Sequence, residues 1–480
     1  MIRRRTKIVC TLGPASFDED VIARMIRAGM DVARLNTSHG TLDEHVDAIR
    51  AVRRVARAEG KTVGVLLDLG GPKLRTGPLF GGRPLWLRTG KTVRITSDPA
   101  ACTGDDDCFA INYPRLDEDI LPGHRVLVDD GAIALEVIGP AVGGIACRVL
   151  NDGVVEENQG VAFPMSTLSL PALTDRDREA IARGVAEEAD FFGLSFVRDA
   201  DHVAEARQAI ADEGGDIPII AKIERRAAID NLDAILAEAD GAMVARGDLG
   251  VELPPEQVPL MQRRIIAAAA RKLVPVITAT QMLESMVDSP RPTRAEASDV
   301  ANAVWDRSDA LMLSQETAIG RYPVEAVAMM DRIIRSAESE PDPGQIIPAD
   351  TTADDHSYLV ALAARRVIEG DANVRAVVCF TRSGYTAVLL SKVRPAVPIL
   401  GMSSSEAVCR RLSLARSVIP VPCPVVTNTD DMLARVDDLL QRHGYAERGD
   451  EVVVMGSLPV AAAGTTNFLK LHVVGETSAL

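Results

Sequence analysis

Residues 218–226 read PIIAKIERR, and the apolar run Ile219-Ile220-Ala221 stops at Lys222 and Glu224, opposite charges two positions apart. In a strand, residues i and i+2 project from the same face. If this run is a strand, the ammonium and the carboxylate share one face at its end. Charges are costly to bury unless something pairs or uses them. An isolated K-x-E is accounted for by a structural ion pair, so the meaning of this one depends on its neighbours.

Runs of the same texture recur along the chain. KIVCTLG (7–13), DVARLNTS (31–38), VGVLLDLGG (63–71), ADFFGLSFV (189–197), IPIIAKIE (217–224), DGAMVARGD (240–248), VPVITAT (274–280) and DALMLS (309–314) make eight in all. Near-continuous hydrophobicity suits strands covered on both faces, as in parallel sheets. Helical patterns such as DEDVIARMIRAG, LDEHVDAIRAVRRVARAEG and PEQVPLMQRRIIAAAARK lie between them. Eight such units predict an α/β fold, a closed (β/α)8 barrel, more naturally than an open sheet.

One unit is interrupted. After LLDLGG, roughly ninety residues pass before the next helix, which starts near LTDRDREAIARGVAEEA with Thr174 as its cap. The insert alternates in short runs, HRVLVDDGAIALEVIG and GGIACRVLNDG among them, and reads as an antiparallel, β-barrel-like domain. Placed after the third strand, it would sit over the mouth of the barrel as a lid. Past the Pro/Asp-rich stretch ESEPDPGQIIPADTTADD the pattern restarts as a separate α/β unit. The expected division is a barrel from 1–71 and 165–340, a lid from 72–164 and a C-terminal domain from 341–480.

Composition agrees with a chain of several domains: 480 residues suggest about three. With 53 Lys and Arg against 68 acids, the net charge of −15 argues against general nucleic-acid or anionic-membrane binding. The seven cysteines are scattered with no C-x-x-C pair, which argues against a disulfide framework or zinc ribbon and fits a reducing, cytoplasmic setting. The basic start MIRRRTKIVCTLGPAS has only a short apolar run, and no stretch is long enough for a membrane span.

Catalytic side chains of a barrel collect at the carboxyl ends of its strands. Here those ends supply Arg34, Asn36 and Ser38; Asp68; Lys222 and Glu224; Asp248; Thr280; and Ser314 with Glu316. Glu224 and Asp248 come from adjacent units and could place two carboxylates on one hard divalent cation, which magnesium accepts while keeping waters and substrate oxygens. Lys222 would then be a second positive centre for a transferring phosphoryl group or an enolate. Gly247 in ARGDLG permits close approach, and free N–H groups at that turn would cradle an anion. Thr278 and Thr280 could bond a substrate carboxylate or relay a proton, or be satisfied by backbone. Arg34 could clamp a phosphate or make an ion pair, and His39 could contact a nucleotide or sit solvated in its loop. No Walker loop occurs. A metal-dependent aldolase or lyase acting on a pyruvate enolate would share the divalent ion and the carboxylate cradle.

At these residues the chain resembles the pyruvate kinase family. The resemblance is carried by KIVCTLGPAS, DVARLNTSHG, LLDLGGPKLRTG, IIAKIE, DGAMVARGDLGVELP, TATQMLESM, SPRPTRAEASDVANAVWD and DALMLSQETAIGRYPVEAV, in one order over nearly the whole length. It implies a barrel, a β lid and a C-terminal α/β domain, usually as a homotetramer. The implied activity is phosphoryl transfer from phosphoenolpyruvate to ADP, giving pyruvate and ATP. By the same resemblance Lys222 would stabilise the transferring phosphoryl group and the enolate, while Glu224 and Asp248 would hold Mg2+ (or Mn2+). Gly247, Asp248 and Thr280 would bind the substrate carboxylate, and Arg34 the phosphate, with Arg75 assisting there and at the nucleotide. Asn36, Ser38 and His39 would line the nucleotide and cation side.

Three departures from the family pattern carry expectations. Potassium-dependent members read roughly D-T-K-G-P-E-I-R where this chain has Asp68-Leu69-Gly70-Gly71-Pro72-Lys73-Leu74-Arg75. The monovalent-cation position would be formed by Asn36, Ser38, Asp68 and Leu69, with the Lys73 ammonium standing in for the ion, so potassium is expected to be unnecessary. Gln159 in QGVAFP replaces a nucleotide-contacting lysine. TRSGYTA, with Thr381, Arg382, Ser383, Gly384 and Thr386, resembles the loop that binds sugar-phosphate effectors, AMP being an alternative ligand, whereas SLPVAAAGTTNF matches the companion loop less well.

Overall fold

A computed structural model describes residues 4–103, 107–340, 349–350, 356–426, 428–459 and 465–476. Most of the Pro/Asp-rich linker and residues 460–464 of the SLPVAAAGTTNF segment lie outside these.

All eight apolar runs are strands: β1 (Lys7–Thr11), β2 (Val32–Asn36), β3 (Gly64–Asp68), β4 (Phe191–Leu194), β5 (Ile219–Ile223), β6 (Gly241–Ala245), β7 (Val276–Ala279) and β8 (Ala310–Leu313). They pair in parallel and close into a ring in which β1 meets both β2 and β8, Cys10 lying between Ala33 and Leu313. Nearly every strand residue is buried, as expected when side chains face either the packed interior or the surrounding helices. The helices begin where polar caps allow. Thr41 and Thr174 each accept the N–H of the residue three on, Glu44 and Asp177, whose carboxylates return to the cap backbone.

Between β3 and β4 the lid folds as a six-stranded sheet and a two-stranded ribbon around its own core, which includes Tyr113, Phe109 and Phe163. Its pairings are antiparallel as the alternation predicts, except that Thr92–Thr96 runs parallel to Cys108–Ala110. One expectation is corrected here, because Cys102 and Cys108 are joined in a disulfide. They are six residues apart in sequence with Cα atoms 5.4 Å apart, a proximity that spacing along the chain does not disclose. The other five cysteines are free and buried.

The C-terminal sheet comprises β9 (Val374–Phe380), β10 (Ile399–Ser403), β11 (Val418–Pro422), β12 (Glu451–Gly456) and β13 (Phe468–Val473). Its order is β11-β10-β9-β12-β13, with only β13 antiparallel. This unit docks on the barrel's amino-terminal end. Lys392 pairs with Asp309 at 2.5 Å, Arg410 with Asp190 at 2.8 Å, and Leu414 joins Val32, Leu66, Phe191 and Ile220 in the barrel's lower core. The carboxyl ends of β1–β8 are therefore left to the lid. Among the described residues no helix is long and apolar enough to cross a membrane.

Candidate active site

Consecutive strands β2 to β7 each deliver one or more polar groups to the carboxyl rim. Arg34 comes from β2, Asp68 from β3, Ser195 from just after β4, Lys222 and Glu224 from β5 and its end, Asp248 from after β6 and Thr280 from after β7. Lys222 is the hub. Its ammonium lies 2.9 Å from Glu224 Oε1 and 3.3 Å from Asp68 Oδ1, and donates to Ser195 Oγ at 2.7 Å. The same-face placement expected of K-x-E is observed, and the pair is buried, with Lys222 9% and Glu224 1% exposed.

Arg34 closes the other side. Its Nε donates to Asp68 Oδ2 at 2.7 Å, Nη2 lies 2.5 Å from the same oxygen, and Nη1 donates to Thr11 Oγ1 at 2.9 Å. Burial works against ionisation of Asp68, yet Lys222 and Arg34 outweigh it and hold that carboxyl below its ordinary range. Burial likewise works against the Lys222 ammonium, but Asp68 and Glu224 hold its pKa well above that of a free lysine. Glu224 differs. Burial pushes its carboxyl up, Lys222 pulls it down, and the nearby Asp248 charge adds to the push, leaving it above the usual glutamate value. Its second oxygen accepts the Phe196 N–H at 2.8 Å.

Two carboxylates crowding one another beside a single ammonium are the arrangement a divalent cation relieves. The donor set fits magnesium: Glu224 and Asp248 are hard oxygen ligands, and other positions would fall to water and substrate. Among the described residues, no cluster of three or more His, Cys, Asp or Glu forms an all-protein metal cage.

At the ends of β6 and β7, Gly247 N donates to Thr280 Oγ1 at 2.8 Å, and that hydroxyl donates to the Ala279 carbonyl at 2.7 Å. The Gly247 amide, expected to be free, is therefore already engaged, because Thr280 takes a left-handed backbone, φ 67°, that turns its hydroxyl toward the β6 loop. Thr278 is separate from the site, since its hydroxyl is buried against Ser308 Oγ at 2.7 Å. Glu316 also serves the framework, accepting the N–H groups of Leu283 at 3.0 Å and of Ser314 at 2.6 Å.

A second region opens under the lid. A cavity of about 410 Å3 is lined by Thr37, Ser38, Gly70, Lys73, Arg75 and Arg176, among others. His39 lies close by; burial lowers its pKa and the charges of Lys73, Arg75, Arg34 and Arg176 lower it further, which marks the place as electropositive. Arg75 donates to the Asn158 carbonyl at 2.7 Å, and Arg176 holds the loop after β2 through the carbonyls of Thr37 at 3.0 Å and Gly40 at 2.7 Å. Gln159 turns inward, accepting the Glu156 N–H at 2.9 Å. Asn36 Oδ1 accepts the Ser38 N–H at 3.2 Å, and Leu69 O accepts from Ser195 Oγ at 2.6 Å.

The effector-like loop lies at the far side of the molecule, after β9. Gly384 takes φ 92° and donates to Thr381 Oγ1 at 2.9 Å, Thr386 Oγ1 lies 2.6 Å from Thr466 Oγ1, and Arg382 and Ser383 are exposed. Ser195 and Arg176 were not among the residues drawn from sequence. Ser195 had a signal, a polar residue near the end of the apolar run ADFFGLSFV, one of the two strand ends, with that of β1, left without a candidate. Arg176, on a helix far along the chain, had none.

Comparisons with known proteins place this arrangement among relatives. Residues 3–327 match the family model described as pyruvate kinase, barrel domain, and residues 359–472 that described as pyruvate kinase, alpha/beta domain. The chain is 44% identical over 478 residues to a pyruvate kinase of Sporosarcina psychrophila, covering 98% of this chain and 81% of that one. It is 42% identical over 473 residues to one of Mycobacterium tuberculosis, with 98% and 99% covered. A crystal structure of a pyruvate kinase from Cryptosporidium parvum superposes with a TM-score of 0.92 at 35% identity, covering 98% of this chain and 96% of that one.

Proposed function

Because this chain belongs to the pyruvate kinase family, we propose that it moves the phosphoryl group of phosphoenolpyruvate to ADP, with Mg2+ (or Mn2+) held by Glu224 and Asp248. The observation that carries this reading is the three-way fixation of Lys222 by Asp68, Glu224 and Ser195 at the barrel rim. An ammonium locked in place needs no reorganisation when charge develops on a substrate, which is how electrostatic catalysis gains most.

Each strand end then has a task. The Thr280 hydroxyl and the Gly247 N–H, which would exchange their present bonds for it, bind the substrate carboxylate with the Asp248 backbone, and Thr280 would stand near the enolate carbon that receives a proton. Arg34 and Lys222 face the phosphoryl group as it leaves. Glu224 and Asp248 would hold the divalent ion, which would supply positive charge against the substrate's negative oxygens. Asn36, Ser38, His39 and Arg75 serve the diphosphate, and the support for this is the electropositive cavity beneath the lid.

Potassium independence is part of the proposal. Its support is that Asn36 Oδ1 accepts from Ser38 N–H, Leu69 O from Ser195, and Asp68 Oδ2 from Arg34, with the Lys222 ammonium 3.3 Å from Asp68 Oδ1. Lys73 adds a fixed positive charge beside them. We further take residues 1–71 and 165–340 as the catalytic unit, 72–164 as the lid and 341–480 as a C-terminal unit. A sugar phosphate or AMP would bind at Thr381–Thr386 of that last unit, in a cytoplasmic homotetramer.

A coupled assay with phosphoenolpyruvate, ADP and magnesium tests the activity directly. Pyruvate formation that is abolished by a chelator and restored by magnesium or manganese is expected. No turnover under those conditions would remove the reading. A rate rising more than about tenfold when potassium replaces a non-activating counter-ion would remove the potassium claim alone.

A further inference from the structure

The contact between Gly247 and Thr280 depends on a backbone that two consecutive residues hold at positive φ, Thr280 at 67° and Gln281 at 54°. Residues with a Cβ rarely adopt this region, and a pair of them persists only where surrounding groups over-determine the conformation. The turn aims the carbonyls of Ala279, Thr280 and Gln281 at one point, and the Arg246 guanidinium occupies it. Nε lies 3.3 Å from Ala279 O and 3.2 Å from Thr280 O, while Nη2 donates to Thr280 O at 2.6 Å and Gln281 O at 3.1 Å. Nη1 is fixed in turn by Asp299 Oδ2 at 2.7 Å, on the helix Arg294–Trp305. The side chain is 10% exposed, so the fork is held rather than solvated.

Arg246 also leads directly into Gly247, whose N–H grips the Thr280 hydroxyl. One residue and its successor thus hold Thr280 from two sides, by its carbonyl and by its hydroxyl. A planar guanidinium with five N–H donors in fixed geometry can serve three carbonyls and a carboxylate at once.

We propose that Arg246 is the positioning residue of the substrate-carboxylate cradle, fixing the strained turn at Thr280 and locking it to the Gly247–Asp248 backbone without touching substrate. This rests on the assignment of Gly247, Asp248 and Thr280 to that cradle.

The test uses the full chain and compares Arg246→Met, Arg246→Lys, Asp299→Asn, Thr280→Val and the double variant Arg246→Met with Thr280→Val. Arg246→Met should raise KM for phosphoenolpyruvate and lower kcat, cutting kcat/KM by about 100-fold, the loss typical of a misplacement near 1 Å. KM for ADP should stay unchanged. Arg246→Lys should recover part of the loss, because the three donors of an ammonium on a shorter reach cannot serve the three carbonyls and Asp299 together. Asp299→Asn should lower kcat/KM by about threefold. The double variant should be no worse than Thr280→Val, since residues acting as one unit are not additive. Losses that multiply in the double variant, or an Arg246→Met enzyme with wild-type KM for phosphoenolpyruvate, would overturn the proposal. Should Arg246→Met fail to fold, wild-type KM in both Arg246→Lys and Asp299→Asn would overturn it equally. Wild-type enzyme inactive toward phosphoenolpyruvate would instead overturn the assignment beneath it, and the proposal with it.

Discussion

Lys222 donates a hydrogen bond of 2.7 Å to the Ser195 hydroxyl, which passes its own proton to the Leu69 carbonyl at 2.6 Å. This links the ammonium on β5 to the segment where the chain leaves β3 for the lid. Because the Ser195 hydroxyl has a single proton, committing it to Leu69 O orients its lone pairs toward Lys222. The third proton of the ammonium is thereby fixed, the other two facing Asp68 and Glu224.

Replacing Ser195 with alanine removes both bonds and leaves two buried polar groups short of a partner, at a cost of about 1–3 kcal/mol. The expected result is a fall in kcat of about tenfold with KM for ADP unchanged, measured by steady-state kinetics. Ser195→Thr, which restores a hydroxyl, should recover part of it. A Ser195→Ala enzyme with wild-type kcat would show that Asp68 and Glu224 alone hold the lysine.

Lys222→Met tests the hub itself. Loss of a transition-state donor in a buried site should lower kcat by on the order of 100-fold or more. Removing one member of a buried charge cluster also leaves Glu224 facing Asp248 without its ammonium, so the unfolding temperature should drop as well. Near-normal turnover by this variant would contradict the assigned role.

How much of this was legible in the chain follows from the range of each signal. The eight barrel strands were readable because a parallel strand covered on both faces must be apolar along its length, a local property. Lys222 and Glu224 were readable because strand alternation fixes their common face. The contact of Lys222 with Asp68 was not, since it spans from β3 to β5, past β4, and depends on ring closure. Thr278 and Thr280 looked alike in VITAT, yet only Thr280 reaches the β6 loop, because a positive φ at the strand's end redirects its hydroxyl. Arg246 drew no reading from the sequence, its partners lying more than thirty residues away. The Cys102–Cys108 pair was missed because a separation of six residues follows no local pairing rule.

At the opposite end of the barrel, Leu414 of the C-terminal domain is 1% exposed and packs into the lower core beside Leu66 and Phe191. Leu414→Ala should cost about 2–4 kcal/mol through lost burial and the cavity left behind. A drop in unfolding temperature of several degrees is expected by calorimetry, with kcat at 25 °C unchanged because the rim is remote. Wild-type thermal stability would mean that the polar contacts through Lys392 and Arg410 carry the docking.

The sharpest test of the potassium claim is a charge reversal at Lys73. This side chain is exposed, makes no ion pair among the described residues, and lines the same cavity as Ser38 and Arg75. Its value to the enzyme is therefore its field, felt as far as His39, rather than a structural bond. Lys73→Glu with Leu69→Thr restores the threonine and the glutamate of the D-T-K-G-P-E-I-R pattern, Gly70 and Leu74 still differing, and exchanges a positive charge for a negative one beside the phosphate-handling groups. Reversing a charge on the wall of that cavity should change the rate by about tenfold, less at high ionic strength. In sodium-free buffer with a bulky organic counter-cation, the double variant should lose that factor while the wild-type chain keeps its rate. Adding potassium should restore the variant and leave the wild type unmoved. Equal rates for the two enzymes in the absence of potassium would show that Lys73 does not stand in for the ion, and that the charge balance at this end of the cavity is met by Arg75 and Arg176.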